Sequence, residues 1–322
     1  MWQRLSSVLG LFRLLPEEGS PFPDYKAGQY IALRREDCRL TRRLTGPDGK
    51  VQYTPDVDEN GVQRRGPVAH SYSISSAPSE TREHGYLEFY VVLEVGEDEY
   101  PGRLTESFFR LDPKRDNTVG YVNRIAGDFT LDRRAAGFRN VLFVGTGTGL
   151  APFAAMIKEL DAQRRADGVR YTLLHTNRTF DELAYHDVLA GIETAGRIDF
   201  RYVASVSRPA RGDVERRGVG AGRANNVLRY LYGMPLREEE ELEAARGTAG
   251  EASAAARLAS AVRPVLPGSI VLEDLRPRLE PAETVVLTCG NPSSMADIKH
   301  VADAKGIRYE KEDWKVVLPT RG

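Results

Sequence analysis

The sequence contains too little cysteine and too few long apolar runs for several classes of protein. Its 322 residues include two cysteines, Cys38 and Cys289, which lie far apart in unlike contexts. An iron–sulfur domain needs about four thiolates, so a fused cluster domain is excluded. Two isolated cysteines also favour a reduced, cytoplasmic protein. No apolar run approaches the ~20 residues that span a bilayer.

The chain also lacks an excess of charge of either sign. The formal net charge is −1, so no overall field would attract nucleic acid or an anionic membrane. At the N-terminus, MWQRLSSVLGLFRLLPEE pairs one early arginine with a short apolar stretch. Arg13 interrupts that stretch and no small-residue cleavage site follows, which predicts a strand rather than a signal peptide.

The chain length favours two domains. Residues 1–135 carry short segments rich in β-branched and aromatic residues, separated by turn formers such as GPDGK. These segments are YIALRRE, VAHSYSIS, GYLEFYVVLEV and TVGYVNRIAG. Several short strands at this spacing predict a small antiparallel β-barrel or sandwich.

Residues 136–322 alternate strands with helices instead. RNVLFVGTG is a continuous apolar strand, and RYTLLHT, IDFRYVASV and TVVLTCG are further buried-strand candidates. After the first strand, the apolar residues Phe153, Met156, Ile157 and Leu160 follow a helical period. The pattern predicts a Rossmann-like α/β domain with a parallel sheet. An Ala- and Glu-rich stretch, about 236–262, predicts an inserted helix or helical pair whose four consecutive acids are solvated.

The strongest functional signal is GTGTGLAPF, residues 145–153. Glycines allow a tight turn and close approach to a phosphate, and a helix N-terminus offers free N–H groups to an anion. Pro152 suits the first helical turn. The segment is not a P-loop, because no Gly-Lys-Ser/Thr follows, and it is not GxGxxG, because residue 150 is Leu.

Two further segments suggest ligand contacts. HSYSISSAP, residues 70–78, alternates hydroxyls around a tyrosine that can lie flat on a planar ring. A serine-rich strand that ends at Pro78 is an equally simple interpretation. CGNP, residues 289–292, follows a predicted parallel strand, at the sheet edge where ligands bind. A single cysteine there is more often a buried apolar residue than a nucleophile.

Together these segments resemble the bacterial-type ferredoxin/flavodoxin–NADP reductase family. The resemblance covers nearly the whole chain except 38–66 and about 236–262. The matching blocks are AGQY (27–30), HSYS (70–73), FYVV (89–92), GRLT (102–105), GTGTGLAPF (145–153) and CGNP (289–292). One residue departs from the pattern: the family's flavin-phosphate arginine is His70 here. Arg103 is a candidate to supply the missing charge; otherwise the phosphate is held more weakly.

The resemblance implies an FAD-binding antiparallel β-barrel over residues 1–135 and an NADP-binding Rossmann-like domain over residues 136–322. The implied FAD residues are His70, Ser71, Tyr72, Ser73, Tyr90, Val91, Val92, Arg103, Leu104, Thr105, Thr148 and Trp314. The implied NADP residues are Gly145, Thr146, Gly147, Gly149, Pro152, Asn177, Arg178, Ser207, Arg208, Arg223, Cys289, Gly290, Asn291 and Pro292. The implied catalytic residues are Tyr72, Ser73, Cys289 and Glu310, with no metal ligands. Hydride transfer links NADP(H) to FAD.

Basic residues after the predicted strands favour NADP over NAD. An NAD site usually places an acid on the ribose, whereas this chain reads His-Thr-Asn-Arg at 175–178 and Ser-Val-Ser-Arg at 205–208. Arg223 is a third basic position, and the family carries 2′-phosphate arginines at three similar places. Asp181 and Glu182 lie close enough in sequence to compete for Arg178.

The C-terminal region offers further candidates. The family ends with an aromatic near the flavin, and Trp314 resembles it, with Tyr309 as the runner-up. Glu310 or Glu312 is expected to act as a proton source near the flavin.

The resemblance implies a small acidic redox protein, ferredoxin or flavodoxin, as partner, and five arginines that make the 38–66 segment basic suggest where it docks. A solvated loop is the simpler interpretation of that segment. Other enzymes of the same fold remain open: the reductase component of an oxygenase, or a free flavin or quinone reductase. A flavin-binding redox-sensing subunit, or a dehydrogenase without flavin, fits the motifs less well.

Overall fold

The computed structural model describes residues 2–18, 20–45, 51–94, 101–112, 114–165 and 167–312. The chain divides into two compact units between Gly127 and Asp128, a few residues before the predicted end of the first domain at 135. Among the described residues, no helix is long and apolar enough to cross a membrane.

The first unit is built from antiparallel strands, as predicted. They are β1 (Trp2–Arg4), β2 (Leu9–Leu14), β3 (Tyr30–Arg39), β4 (Thr41–Thr45), β5 (Val51–Pro55), β6 (Arg65–Ser73), β7 (Leu87–Val92) and β8 (Gly120–Tyr121). Two short helices join them, α1 (Pro78–His84) and α2 (Arg103–Phe109). One sheet has the order β1-β2-β7, a second the order β6-β3-β8, and β4 pairs with β5 as a hairpin.

One apolar core lies between these two sheets. Alternate residues of the strands point into it, among them Phe12, Ile31, Val68 and Phe89, and Phe108 of α2 joins them. The predicted strand over 118–127 is largely irregular, because backbone pairing with β3 covers little beyond β8 and the isolated Tyr30–Ala126 bridge. The predicted N-terminal strand is the β1–β2 hairpin.

The second unit is a parallel sheet flanked by helices, which confirms the predicted α/β fold. Its strands are β9 (Asn140–Thr146), β10 (Arg170–Asn177), β11 (Phe200–Val206), β12 (Gly220–Ala221), β13 (Thr284–Cys289) and β14 (Arg308–Lys311). Its helices are α3 (Leu131–Arg134), α4 (Ala151–Ala162), α5 (His186–Ala195), α6 (Asp213–Arg217), α7 (Ala224–Leu231), α8 (Arg237–Ala245), α9 (Glu251–Ala259), α10 (Leu272–Leu275) and α11 (Pro292–Lys305). Short 3₁₀ turns occur at Gly147–Leu150, Phe180–Glu182, Arg276–Arg278 and Pro281–Glu283.

The strand order of this sheet determines where a ligand can bind. The order is β12-β11-β10-β9-β13-β14, so the chain leaves β9 in one direction and later returns to pair β13 on its other side. Such a reversal opens a crevice at the carboxyl ends of the two strands, where α/β sheets bind ligands. Both the 145–153 segment and the 289–292 segment start at that edge.

The inserted segment is a helical pair, α8 and α9, as predicted. Its acids are not a solvated face, which corrects the prediction. Glu238 is buried and accepts a hydrogen bond from Asn226 Nδ2 at 2.8 Å, and Glu240 pairs with the buried Arg229. The Asn226 amide and the Arg229 guanidinium, both on α7, therefore satisfy these two carboxylates.

Candidate functional site

The glycine-rich segment makes the turn predicted for it. β9 ends at Thr146, residues Gly147–Leu150 form a single 3₁₀ turn, and α4 begins at Ala151 with Pro152 in its first turn. Gly147 has φ +56°, and a Cβ there would meet nothing within 4 Å. Its positive φ needs glycine, and the free space beside its backbone leaves room for a ligand. Thr148 follows it, partly buried.

The two predicted nucleotide segments contact each other at the strand ends. A Cβ on Gly149 would lie 2.2 Å from the Cys289 carbonyl oxygen, and a Cβ on Gly290 would lie 2.1 Å from Thr146 Oγ1. Only glycine permits this approach of backbones. The Asn291 backbone N–H donates to Thr146 Oγ1 at 2.9 Å. The structure therefore brings 145–149 and 289–291 together into one site.

Asn291 has a second role that the sequence analysis missed. Its Oδ1 accepts a hydrogen bond from Ser294 N at 3.1 Å, which makes it the N-cap of α11, and Pro292 occupies the first turn of that helix. Asparagine followed by proline is a recognised helix-start signal that would have predicted this cap. The turn after β13 is thus fixed at both ends.

Cys289 is buried at the end of β13. Its Sγ donates to Glu312 Oε2 at 2.9 Å. Burial raises the pKa of the thiol well above its usual value, and the Glu312 carboxylate raises that pKa further. Cys289 is therefore a neutral thiol, as expected of a pocket-shaping residue rather than a nucleophile.

Glu310 lies on β14 with its carboxylate in two ion pairs. Arg134 Nη1 donates to Oε2 at 2.9 Å and Arg308 Nε donates to Oε1 at 2.8 Å. These contacts suit a structural ion pair, and the proton-source role of Glu310 stays a prediction. Tyr309 packs beside the apolar core and donates to the Met295 carbonyl at 3.2 Å. Trp314 lies outside the described residues.

The predicted 2′-phosphate residues follow adjacent strands. Ser207 N donates to the Asn177 carbonyl at 2.9 Å, and Arg208 N donates to the Arg178 carbonyl at 2.8 Å. Arg223 comes two residues after β12, which pairs with β11. Asn177, Arg178, Ser207, Arg208 and Arg223 therefore share the carboxyl edge of the sheet. As anticipated, Glu182 competes for Arg178, accepting from its Nε at 3.1 Å and its Nη2 at 3.0 Å.

In the first unit, the predicted flavin residues lie on neighbouring elements. Ser71, Tyr72 and Ser73 are on β6, opposite Ala32, Ile31 and Tyr30 of β3. The Tyr72 ring packs against Phe108 with centroids 5.6 Å apart, and burial raises the pKa of its phenol, so the phenol stays neutral.

His70 and Arg103 are the two basic side chains predicted to hold the flavin diphosphate. Partial burial lowers the pKa of the His70 imidazole, and the positive Arg103 guanidinium lowers it further, against a smaller opposing effect of the Glu94 carboxylate. His70 is therefore neutral at pH 7. A bound phosphate would raise that pKa, so two cationic groups become available to a diphosphate.

The remaining predicted flavin residues are mostly interior. Tyr90 and Val91 are buried on β7, with Val92 at the strand end, and Leu104 is buried in α2. Thr105 Oγ1 donates to the Gly102 carbonyl at 3.1 Å across the first turn of α2. For these side chains the structure describes packing, and a flavin contact through them stays a prediction.

Comparison with known proteins finds a family match within the second unit. Residues 143–222 match the oxidoreductase NAD-binding domain. A flavohemoprotein of Halalkalibacterium halodurans is 28% identical over 214 residues, which cover 66% of this chain and 43% of that protein. Ferredoxin–NADP reductase A of Sorangium cellulosum is 32% identical over 152 residues, covering 45% of this chain and 49% of that protein. The chain thus spans about half the length of the curated relatives it matches.

Solved structures support the whole fold. The FAD/NAD-binding domain of nitric oxide dioxygenase from Vibrio cholerae has a TM-score of 0.59 and 16% identity, covering 97% of this chain and 95% of that chain. The cytochrome b5 reductase domain of Ulva prolifera nitrate reductase has a TM-score of 0.58 and 14% identity, covering 97% of this chain and 94% of that chain. At such identities the likeness establishes the fold, which matches the predicted succession of an antiparallel β domain and a Rossmann-like domain.

Proposed function

We propose that the chain is an oxidoreductase of the ferredoxin–NADP reductase-like family that binds FAD and NAD(P), oxidises NADPH and passes electrons to a small redox protein. The observation that carries this proposal is the contact between Gly149 and Cys289–Gly290 at the strand reversal. It brings two segments that are distant in sequence together into one site at the carboxyl edge of the sheet.

The residues present fit a dinucleotide. Gly147 has open space above its backbone at the N-terminal end of α4, where N–H groups and the helix dipole favour a diphosphate. Arg208 is exposed at the same edge, and its planar guanidinium suits a terminal phosphate. The residues of the first unit fit a flavin diphosphate less fully, because His70 must gain a proton to assist Arg103.

The bound cofactors supply hydride transfer between nicotinamide and flavin, and the release of electrons singly. The chain positions these groups and controls protons. Cys289 is a small, neutral side chain beside the nucleotide segment, because its thiol keeps its proton and donates a hydrogen bond to Glu312 Oε2. We assign the proton-transfer role to Glu312 in preference to Glu310, since the Glu312 carboxylate accepts from the Cys289 thiol whereas Glu310 already holds two guanidinium groups. Tyr72 presents a neutral aromatic ring to the flavin.

A different electron acceptor is the second candidate. The flavohemoprotein relative aligns over 214 residues, against 152 for the ferredoxin–NADP reductase, which favours a reductase module that serves another protein or domain. An oxygenase component or a haem protein would be the acceptor in that case. Acceptor choice depends on exposed surface, which nucleotide motifs do not encode.

The test begins with the absorption spectrum of the purified protein. We expect a yellow protein that releases FAD on denaturation and is bleached by NADPH much faster than by NADH. Cytochrome c reduction is then compared with and without added ferredoxin: stimulation supports the carrier role, and equal rates favour another acceptor. A colourless protein that takes up no FAD, or a flavin that NADPH cannot bleach, would contradict the proposal.

A further inference from the structure

Two of the three predicted 2′-phosphate arginines already have carboxylate partners. Arg178, Arg208 and Arg223 follow three adjacent strands, β10, β11 and β12. Among the residues the structure describes, Arg208 forms no ion pair. Arg178 and Arg223 each face one buried glutamate, and the two glutamates come from different parts of the chain.

Glu182 holds Arg178 through two hydrogen bonds. The carboxylate accepts from Nε at 3.1 Å and from Nη2 at 3.0 Å, and its side chain is 9% exposed while that of Arg178 is 44% exposed. The Glu182 backbone carbonyl also accepts from Asn177 Nδ2 at 2.7 Å. This second bond fixes the Glu182 backbone beside β10 and keeps the residue within reach of Arg178.

Glu238 faces Arg223 from the helical insert. Its Oε1 lies 3.7 Å from Arg223 Nη1, and its Oε2 accepts from Asn226 Nδ2 at 2.8 Å. The Glu238 side chain is 8% exposed. Asn226 Oδ1 in turn accepts from the Arg237 backbone N–H at 3.0 Å, which ties the first turn of α8 to α7. The insert therefore brings a negative charge to the nucleotide edge.

A 2′-phosphate would have to bind beside these carboxylates. A buried carboxylate that loses its cation is strongly destabilised, so each glutamate keeps its arginine and repels the approaching dianion. A 2′-hydroxyl carries no charge and meets no such repulsion. We propose that Glu182 and Glu238 are specificity-determining residues that reduce the selectivity of the site for NADP(H) over NAD(H). This inference rests on the proposed function.

Calorimetry on the purified holoprotein tests the inference without relying on turnover. Adenosine 2′,5′-bisphosphate and adenosine 5′-monophosphate differ only in the 2′-phosphate. In Glu182→Gln, we expect adenosine 2′,5′-bisphosphate to bind roughly tenfold tighter and adenosine 5′-monophosphate to bind unchanged, because glutamine keeps one acceptor for Arg178 and removes the charge. Glu238→Gln should act in the same direction, more weakly, since its ion pair is longer.

Two neighbouring acids serve as matched controls. Asp181→Asn removes a charge adjacent in sequence from an exposed side chain that pairs with Arg217 at 3.5 Å. Glu241→Gln removes a charge from α8 that pairs with Arg237 and Arg257. We expect both to leave the ratio of the two affinities unchanged. In steady-state assays, Glu182→Gln should lower the ratio of the KM for NADPH to the KM for NADH.

The outcomes separate this inference from the proposed function. If the wild-type protein binds both nucleotides and the glutamate variants bind adenosine 2′,5′-bisphosphate no more tightly, or more weakly, the inference is wrong and the proposed function stands. The same holds if the control variants shift the ratio equally. A wild-type protein that binds neither nucleotide contradicts the proposed function, and the inference with it.

Discussion

The chemistry of Cys289 follows from its surroundings rather than from its residue type. Burial and the Glu312 carboxylate raise its pKa, and burial also raises the pKa of Cys38. A free thiol ionises near pH 8.5, so both cysteines stay protonated in the folded protein at a pH where an exposed cysteine is partly thiolate. A thiolate is the reactive form, which makes both residues poor targets for modification.

We therefore expect the native protein to react slowly with dithionitrobenzoate at pH 8, and the urea-unfolded protein to release two thiols at once. Because the folded pKa values are raised, native reactivity should stay low until the pH exceeds about 8.5 and rise only above it. The measurement is the absorbance of released thionitrobenzoate against time, with and without urea. Rapid release of one equivalent from native protein would show that one thiol is exposed or ionised.

Glu310 and Glu312 should respond differently to the same substitution. Glu310→Gln weakens ion pairs to Arg134 and Arg308, so we expect a loss of about 1–2 kcal/mol in the free energy of unfolding, with little change in turnover. Glu312→Gln should lower kcat by about tenfold or more, because an amide can neither take up nor release a proton. Urea titration and steady-state reduction of a dye check both variants. A fall in kcat for Glu310→Gln at native stability would reverse the assignment.

At the scale of elements, the turn after β9 places different demands on its glycines. Gly149 has no space for a Cβ beside Cys289, whereas Gly147 has space and a positive φ. We expect Gly149→Ala to separate the ends of β9 and β13, with a cost of about 3 kcal/mol or more and loss of nucleotide binding. Gly147→Ala should cost about 1–2 kcal/mol and keep the contact between the two turns.

Thermal unfolding and nucleotide titration of both variants make the comparison. Gly147→Ala is the matched control, because it adds the same methyl group two residues away. Equal stabilities for the two variants would mean that the backbones after β9 and β13 are not packed as the structure describes.

Regular elements were predictable wherever the signal is local. The apolar runs that became β9, β10, β11 and β13, and the helical period of Phe153 to Leu160, need no knowledge of distant residues. The stretch after Thr118 is different, because its β-like composition does not determine whether a partner strand is present. Only the short β8 pairs regularly, where Leu33 and Arg34 offer backbone partners.

At the scale of the whole molecule, what could not be predicted is the pairing of charges distant in sequence. The competition of Glu182 for Arg178 was visible at i,i+4 spacing. The burial of Glu238 was not, since its partners Arg223 and Asn226 belong to another helix. Consecutive acidic residues are predicted to be exposed to solvent when the sequence does not reveal their counter-ions. The fold was therefore easier to predict than the ion pairs, and it is the ion pairs that decide which arginines are available to bind a ligand.

Ion pairs also reduce the number of arginines available for docking in the 38–66 segment. Four of its five arginines have acidic partners in the first unit: Arg42 and Arg64 with Asp56, Arg65 with Asp37, and Arg39 with Glu106. Arg43 forms no ion pair within the described part of the chain. It lies exposed on β4, opposite Tyr53 and next to the half-exposed Leu44. Among the described residues of this segment, Arg43 is therefore the cation that an acidic carrier would find without an ion-pair partner.

Charge reversal at Arg43 tests that docking surface. We expect Arg43→Glu to slow reduction of an acidic [2Fe–2S] ferredoxin by roughly threefold at low ionic strength, and to leave ferricyanide reduction intact. The difference should shrink at high salt, because screening removes the steering of exposed charges. Arg246→Glu is the matched control: it makes the same change of charge on an exposed arginine of the helical insert. Stopped-flow rates for the two variants across a salt series decide the matter, since equal slowing by both would mean that net charge, and not this hairpin, governs the encounter.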